Sequence, residues 1–284
     1  MKQYFLRVRL LILLLAVWGW HAGGGATTPA NGPLVTAFNT YAQVPFVDDT
    51  GGLAADCVAY LNQKLMGAYR LQLDTIPRSR LMRLELAAPA SFQGVVLFLH
   101  PRFVDDLQQQ SYLWTQGLFS DANVLIFRGP RAPAVRSMDD LAGLRFGGSL
   151  DMRYKGLDEL VERHKLTRID SYSLRDSLTQ VAAGRVDFTQ TNATAFRAMA
   201  QQQVGFTGKF VSVPVPGEPE FLRHIMIGRG NADLAERLRV IVKAMPRDRQ
   251  WLAIANRYAL RLRQAAQSGR SVAVQSPVAP QPAD

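Results

Sequence analysis

Residues 94–100 read GVVLFLH, an apolar run of strand length with no polar interruption. A strand with one face in water alternates apolar and polar residues, whereas an unbroken run must be covered on both faces. Helices supply that cover when strand and helix alternate along the chain, which gives a parallel sheet. The flanking sequence alternates in this way. LVTAF (34–38) is a short apolar strand, and the loop NTYAQVPFVDDTGG follows it. Leu53, Cys57, Tyr60, Leu61 and Leu65 then recur at helical spacing. YRLQLDTI alternates with the period of a strand, and Pro77 ends it and opens a predicted helix, RSRLMRLEL.

The pattern resumes further on. ANVLIFRG (122–129) is a strand, SMDDLAGLRFGG a short helix and a strand, and GLDELVERHKL a helix. RIDSYS leads into the helix LRDSLTQVAAG, where Ser173 is placed to cap the N-terminus with Asp176 three residues on. Gly184 suits the left-handed position that ends it. GRVDFTQTN, NATAFRAMAQQQ and FVSVPV complete a second α/β unit. FLRHIMIG reads as a strand, and NADLAERLRVIVKAM and RDRQWLAIANRYALRL as amphipathic helices. The Pro- and Ala-rich segment 263–284 is expected to be disordered.

The N-terminus is a separate matter. Lys2, Arg7 and Arg9 precede the apolar run LLILLLAVWGW, and small residues follow it. This order is that of a secretory signal peptide, here 1–26. The run covers 10–20, short of the about 20 residues a spanning helix needs. The mature chain is therefore expected to be periplasmic. Removing Lys2, Arg7 and Arg9 lowers the net charge of +10 to +7. The remaining positive residues are spread singly, without basic-aromatic interleaving, so no nucleic acid is implied. Cys57 is the single cysteine. It sits in an apolar helical pattern and reads as a buried core residue.

Sequence signatures of catalysis are absent. His21, His100, His164 and His224 are far apart and lack metal-ligand spacing, so no metal is expected. GGSLD has Asp151 where a serine nucleophile elbow requires glycine. There is no phosphate-binding or dinucleotide-binding glycine motif, and no cofactor is implied. Asp48-Asp49, Asp105-Asp106 and Asp139-Asp140 lie at turns and helix starts, where capping accounts for them. What remains is binding.

Several segments then line up in one order: VPF and DDTGG, GLAADCVAYLNQKL, WTQGLFSDANVLIF, SMDDLAGLRFGGS, SLTQVAAGRVDF and DRQWLAIANRY. Over about 34–262 the chain resembles the family 3 periplasmic solute-binding proteins of the amino-acid-binding type. The resemblance implies an α/β fold of two lobes with ligand in the cleft between them and two crossing strands at the hinge. It places lobe one at 27–125 and 214–262 and lobe two at 126–213, with crossings near Ile126 and Val213. It also implies a monomer that hands a small molecule to a membrane permease or a sensor kinase. Arg102, after FLHP, looks like the family arginine that grips a ligand carboxylate, a task suited to two parallel donors. Tyr41 and Phe46 in the first loop and Trp114 are further ligand-binding candidates under the resemblance, and Ser149, after LRFGG, is the nearest substitute for the family hydroxyl. Arg78 and Arg80, at the carboxyl edge of the second strand, join them as candidates.

The departures are informative. Ala54 and Gln93 stand where the family has acids, and Asp151 and Met152 where it has glycine and a hydroxyl. The family acid that pairs with an α-ammonium falls on Asn192. An amide brings no charge, and an ammonium buried without a charged partner is costly. The expected ligand is therefore an anion, or a neutral polar molecule with one carboxylate, rather than a zwitterionic amino acid. Two rivals share the fold, a dehydratase-like enzyme and a scaffold that has lost its ligand; the reading preferred is not an enzyme. N-terminal sequencing of the exported protein should find a first residue between Gly23 and Thr27; retention of Met1 in the soluble extracytoplasmic fraction would refute export by cleavage.

Overall fold

The computed structural model describes residues 32–150, 152–202, 206 and 208–262. The signal segment and the tail expected at 263–284 lie outside the described residues. The first unit contains β1 (Leu34–Asn39), α1 (Gly52–Leu65), β2 (Arg70–Thr75), α2 (Arg78–Arg80), β3 (Val95–Leu99), β4 (Leu113–Trp114) and β5 (Phe119–Asp121). The chain then builds β6 (Asn123–Arg128), β7 (Arg145–Ser149), α3 (Leu157–Glu162), β8 (Thr167–Ser171), α4 (Leu174–Ala182), β9 (Phe188–Asn192), α5 (Ala193–Gln202) and β10 (Phe210–Pro214). It ends with β11 (Phe221–Ile227), α6 (Ala232–Ala244) and α7 (Arg249–Arg257).

These strands make two sheets. The first is six-stranded in the order β2-β1-β3-β11-β4, with β5 pairing β11. The second is five-stranded in the order β10-β6-β9-β7-β8. In each, the strands joined through helices run parallel, and the strands at the junction between the units run antiparallel. The passages expected near Ile126 and Val213 lie inside β6 and β10, which pair with each other, Ile126 facing Ser212 and Leu125 facing Val213.

The GVVLFLH run contains β3, and all five strand residues, Val95–Leu99, are buried. Val95 and Leu97 enter a core shared with α1, α6 and α7, while Val96 and Leu99 enter one under Phe92 and Tyr112. Phe98 breaks the alternation, because it joins the same core as Leu97. It has φ 59°, costly for a residue with a Cβ, and the register of β3 on β11 slips at this point. In the second sheet β6 alternates regularly, with Val124 and Ile126 to one core and Leu125 and Phe127 to the other. Ser173 Oγ accepts the Asp176 N–H at 3.1 Å, and Gly184 ends the segment with φ 70°. The segment RSRLMRLEL is helical but not one α-helix. After α2 it widens into a π-turn over Leu81–Glu85, closed by Leu86 N–H on Leu81 O. Strands β4 and β5 were not anticipated; at two and three residues they are too short to show a period.

A buried ion pair marks the junction. Arg223 on β11 and Asp121 at the end of β5 are 1% and 0% exposed. Arg223 Nε and Nη2 both reach Asp121 Oδ2, at 2.8 and 2.7 Å, and Nη1 donates to Phe98 O at 2.8 Å. Nη1 also donates to the Tyr41 hydroxyl. The other carboxylate oxygen of Asp121 accepts the N–H groups of Ala122 and Thr194, the latter in the first turn of α5. Asp121 therefore binds the first sheet to the first helix after β9. Replacing Asp121 by Asn keeps an acceptor there but leaves a buried guanidinium unpaired. Loss of one partner of a buried pair costs about 3–5 kcal/mol. Urea unfolding of Asp121→Asn should show a loss of that size; a change within the range of an ordinary surface substitution would refute this role for the pair.

Candidate functional site

The carboxyl ends of β1, β2 and β3 come together beside this ion pair, and three arginines gather there. Tyr41 follows β1. Its ring stacks on Phe46 at 4.6 Å and lies under the Arg223 guanidinium at 4.5 Å. Phe46 is fully buried and supports the stack from below. Arg78 opens α2, directly after β2 and Pro77. Its guanidinium lies 5.4 Å from the Phe103 ring centroid and donates to Phe103 O. Among the described residues no carboxylate lies within ion-pair distance of it; exposed Asp105 acts from further off. Burial holds its pKa below the ordinary arginine value; Tyr41 opposes that shift and Arg223 adds to it. The group stays charged at any physiological pH.

Arg102 follows β3 in a short 3₁₀ turn. Its guanidinium lies beside the edge-to-face pair of Phe103 and Phe221, 5.0 and 4.6 Å from their ring centroids, which are themselves 5.1 Å apart. Its Nη2 meets Glu218 Oε2 at 3.3 Å, and the same oxygen accepts Asn123 Nδ2 at 2.8 Å. Arg78 and Arg102 thus share one aromatic ring, and one of the two has an acid partner.

His100 packs edge-on against Phe103, Phe221 and His224. Its Nδ1 accepts the Arg102 N–H at 3.2 Å, so a neutral ring carries its proton on Nε2. Burial, with Arg102, His224 and Arg223 adding, pushes its pKa down to about 4. His224 is also shifted down, mainly by burial.

The remaining candidates divide. Asn192 ends β9 directly opposite Asn123 in the β6–β9 register, so the two side chains share a face of the sheet. Its Oδ1 accepts the Ala195 N–H at 2.8 Å and so caps α5. Its N–H₂ and one lone pair of the oxygen remain uncommitted among the described residues. Ser149 ends β7 in the second sheet; its N–H is given to the Tyr154 hydroxyl at 3.0 Å and its carbonyl accepts Arg168 Nη2 at 3.1 Å. Arg80 is exposed and lies two residues beyond Arg78, a spacing at which helical side chains do not face the same way. Trp114 is not part of the arginine cluster. It is 4% exposed and donates its indole N–H to Asp106, whose carboxylate also staples Gln110, Ser111 and Tyr112.

The sequence reading missed Asp121, Arg223, Glu218 and His100. Phe221 and Arg223 were visible only as alternate positions of a predicted strand. Among the described residues no group of acids, histidines and cysteine could hold a metal ion. No described helix is long and apolar enough to cross a membrane. Cys57 is buried, and burial with Asp56 raises its thiol to about 12, which makes it inert. Two cavities, of about 420 and 460 Å³, lie in the second unit beside Arg145–Asp187 and Arg168–Asp170. Those arginines are already paired, and neither cavity touches the cluster around Phe103.

No family model matches the chain, and no curated protein matches it by sequence. Solved structures do match. An ancestral arginine-binding protein bound to arginine superposes with TM-score 0.61 at 15% identity, over 80% of this chain and 99% of that one. A protein of glutathione import in Streptococcus mutans gives 0.62 at 14%, over 80% and 95%. An ancestral amino-acid-binding protein, described as a precursor of cyclohexadienyl dehydratase, gives 0.58 at 13%, over 79% and 95%. At these identities the likeness establishes the fold: the chain has the two-lobed α/β fold of periplasmic binding proteins.

The depressed His100 carries a pH signature. Its pKa falls from 6.5 to about 4, so between those values the unfolded chain takes up a proton that the folded chain refuses. Stability therefore falls as pH drops through that window. His100→Asn keeps an acceptor for the Arg102 N–H and cannot titrate. Thermal unfolding across pH 7 to 4 should fall less steeply in the variant than in the wild type; parallel curves would refute a buried, neutral His100.

Proposed function

We propose that the chain is a periplasmic solute-binding protein that closes on a small carboxylate-bearing anion and delivers it to a membrane permease or a sensor. The observation that carries this reading is Arg78. A half-buried guanidinium with no acid within ion-pair distance is unfavourable by itself. It persists beside two further arginines where a ligand carboxylate would complete it. Arg102 offers its unbonded edge close by, and a planar guanidinium fork suits a carboxylate. The lobe-two groups point the same way. With one lone pair of the Asn192 oxygen given to the α5 cap, its free donor suits an anion, while an ammonium would find an uncharged and partly occupied acceptor. The matched structures described as amino-acid-binding proteins support solute binding in general; the bound arginine belongs to one of them.

The enzyme reading has one observation in its favour, the neutral His100 beside the arginines. Its Nδ1 is already occupied by the Arg102 N–H, and a pKa of about 4 makes it a weak base. Binding is the better account.

Two measurements test it. A thermal-shift screen over amino acids, dicarboxylates, keto acids and small sugars should select carboxylates; a ligand at about 100 times its Kd adds roughly 2.7 kcal/mol. Arg78→Met should leave the unliganded protein as stable or more so, because it removes a half-buried charge with no acid partner among the described residues. The same change should weaken carboxylate binding at least tenfold, since hydrogen bonds to charged groups contribute about 1.5–3 kcal/mol. Unchanged carboxylate affinity in Arg78→Met would refute the assignment.

A further inference from the structure

The partner of Arg102 is itself a carboxylate, and its placement is built. Glu218 sits in the connection between β10 and β11, in the sequence Val215-Pro216-Gly217-Glu218. Glu218 N–H donates to Val215 O at 3.2 Å, and Gly217 has φ 73°. Proline at the second position and a positive-φ glycine at the third are the requirements of a type II turn. The turn fixes the Glu218 backbone, and Asn123 Nδ2 holds its Oε2 at 2.8 Å. Proline 219 stiffens the far side.

Against this well-held carboxylate the contact with Arg102 is loose. It is a single N–O approach of 3.3 Å, where charge-assisted pairs close to about 2.7–2.9 Å. Arg102 Nε and Nη1 and Glu218 Oε1 have no hydrogen-bond partner among the described residues. The guanidinium instead rests against both Phe103 and Phe221, cation-π contacts that compete with a closer approach to Glu218.

We infer that Glu218 is an internal stand-in for the ligand carboxylate, holding Arg102 in the unliganded protein and opposing any anion that binds beside it. The inference rests on the anion-binding reading above and assigns that site its affinity-setting residue. An incoming carboxylate must either take the free edge of Arg102 at close range to the Glu218 charge or displace Glu218. Either way the like charge lowers affinity. Glu218 also joins two parts of the junction, through Asn123 at the start of β6 and through its own place before β11. Displacing Glu218 would therefore loosen the tie between the two connections at the moment the site fills.

The test is titration calorimetry with succinate as probe on the wild type, Glu218→Gln and Asn123→Ala. Glutamine keeps an acceptor for Asn123 and removes only the charge, so Glu218→Gln should bind succinate about tenfold more tightly or better. Asn123→Ala leaves Glu218 in place without its tether and should give a smaller gain. It also stands in should Glu218→Gln fail to fold. Affinity equal to or below that of the wild type in the variants would overturn the inference. If that result accompanies weakened binding in Arg78→Met, the anion site stands and only the part given to Glu218 is lost. Absence of succinate binding in every variant removes the inference, and failure of the wider carboxylate screen removes the anion site with it.

Discussion

A guanidinium with 1% exposure cannot sit in a protein without its hydrogen bonds, and Arg223 dictates much of what surrounds it. Asp121 must be present to neutralise it. Tyr41 must bring its hydroxyl across, which settles the path of the loop after β1. Phe98 must turn its carbonyl inward, at the cost of a left-handed backbone in the central strand. That turn explains why Leu97 and Phe98, neighbours in sequence, face one core. Because the second oxygen of Asp121 holds the start of α5, the same pair joins the two lobes. The arginine cluster at the carboxyl edge of the first sheet is positioned by this arrangement.

The layout of the fold was legible where burial leaves a period in the sequence. GVVLFLH announced a strand covered on both faces, and the Ser173 cap and the Gly184 terminus follow from local backbone needs. What was hidden depends on partners far away in the chain. Arg223 and Asp121 are 102 positions apart, and Arg102 and Glu218 are 116. No pattern in either neighbourhood foretells the meeting. Arg102 was picked out by resemblance, but its acid partner was not. The β-bulge at Phe98 was illegible for a related reason: nothing in an all-apolar run tells which residue will take the unusual φ. Asn192 shows an intermediate case. The sequence offered it as a site amide, and the geometry also commits its oxygen to the cap of α5.

The two lobes bring unequal chemistry to their junction. Lobe one has donors in surplus: among the described residues Arg78 has no carboxylate within ion-pair distance, and Arg102 is half engaged. Lobe two has committed more of its groups locally and keeps the Asn192 N–H₂ as a donor. The Ser149 N–H goes to Tyr154, its carbonyl to Arg168, and the Asn192 oxygen to α5. A ligand held here would take its binding energy mainly from one side, with the other acting to cover it and exclude water.

The strand order carries a consequence for how the molecule comes into being. β11, residues 221–227, lies in the first sheet between β3 and β4, while the whole second sheet is drawn from residues 123–214. The second sheet can therefore close from contiguous chain, whereas the first must wait, with an edge of β3 unpaired, until the last strand is made. Contacts of long sequence separation form late because closing the loop costs entropy first. The half of the protein synthesised first is thus the half finished last, and during that interval an apolar strand edge stays open to misassociation. For a chain expected to cross a membrane before it folds, the delay also favours passage, since the first lobe cannot lock while its final strand is still being delivered.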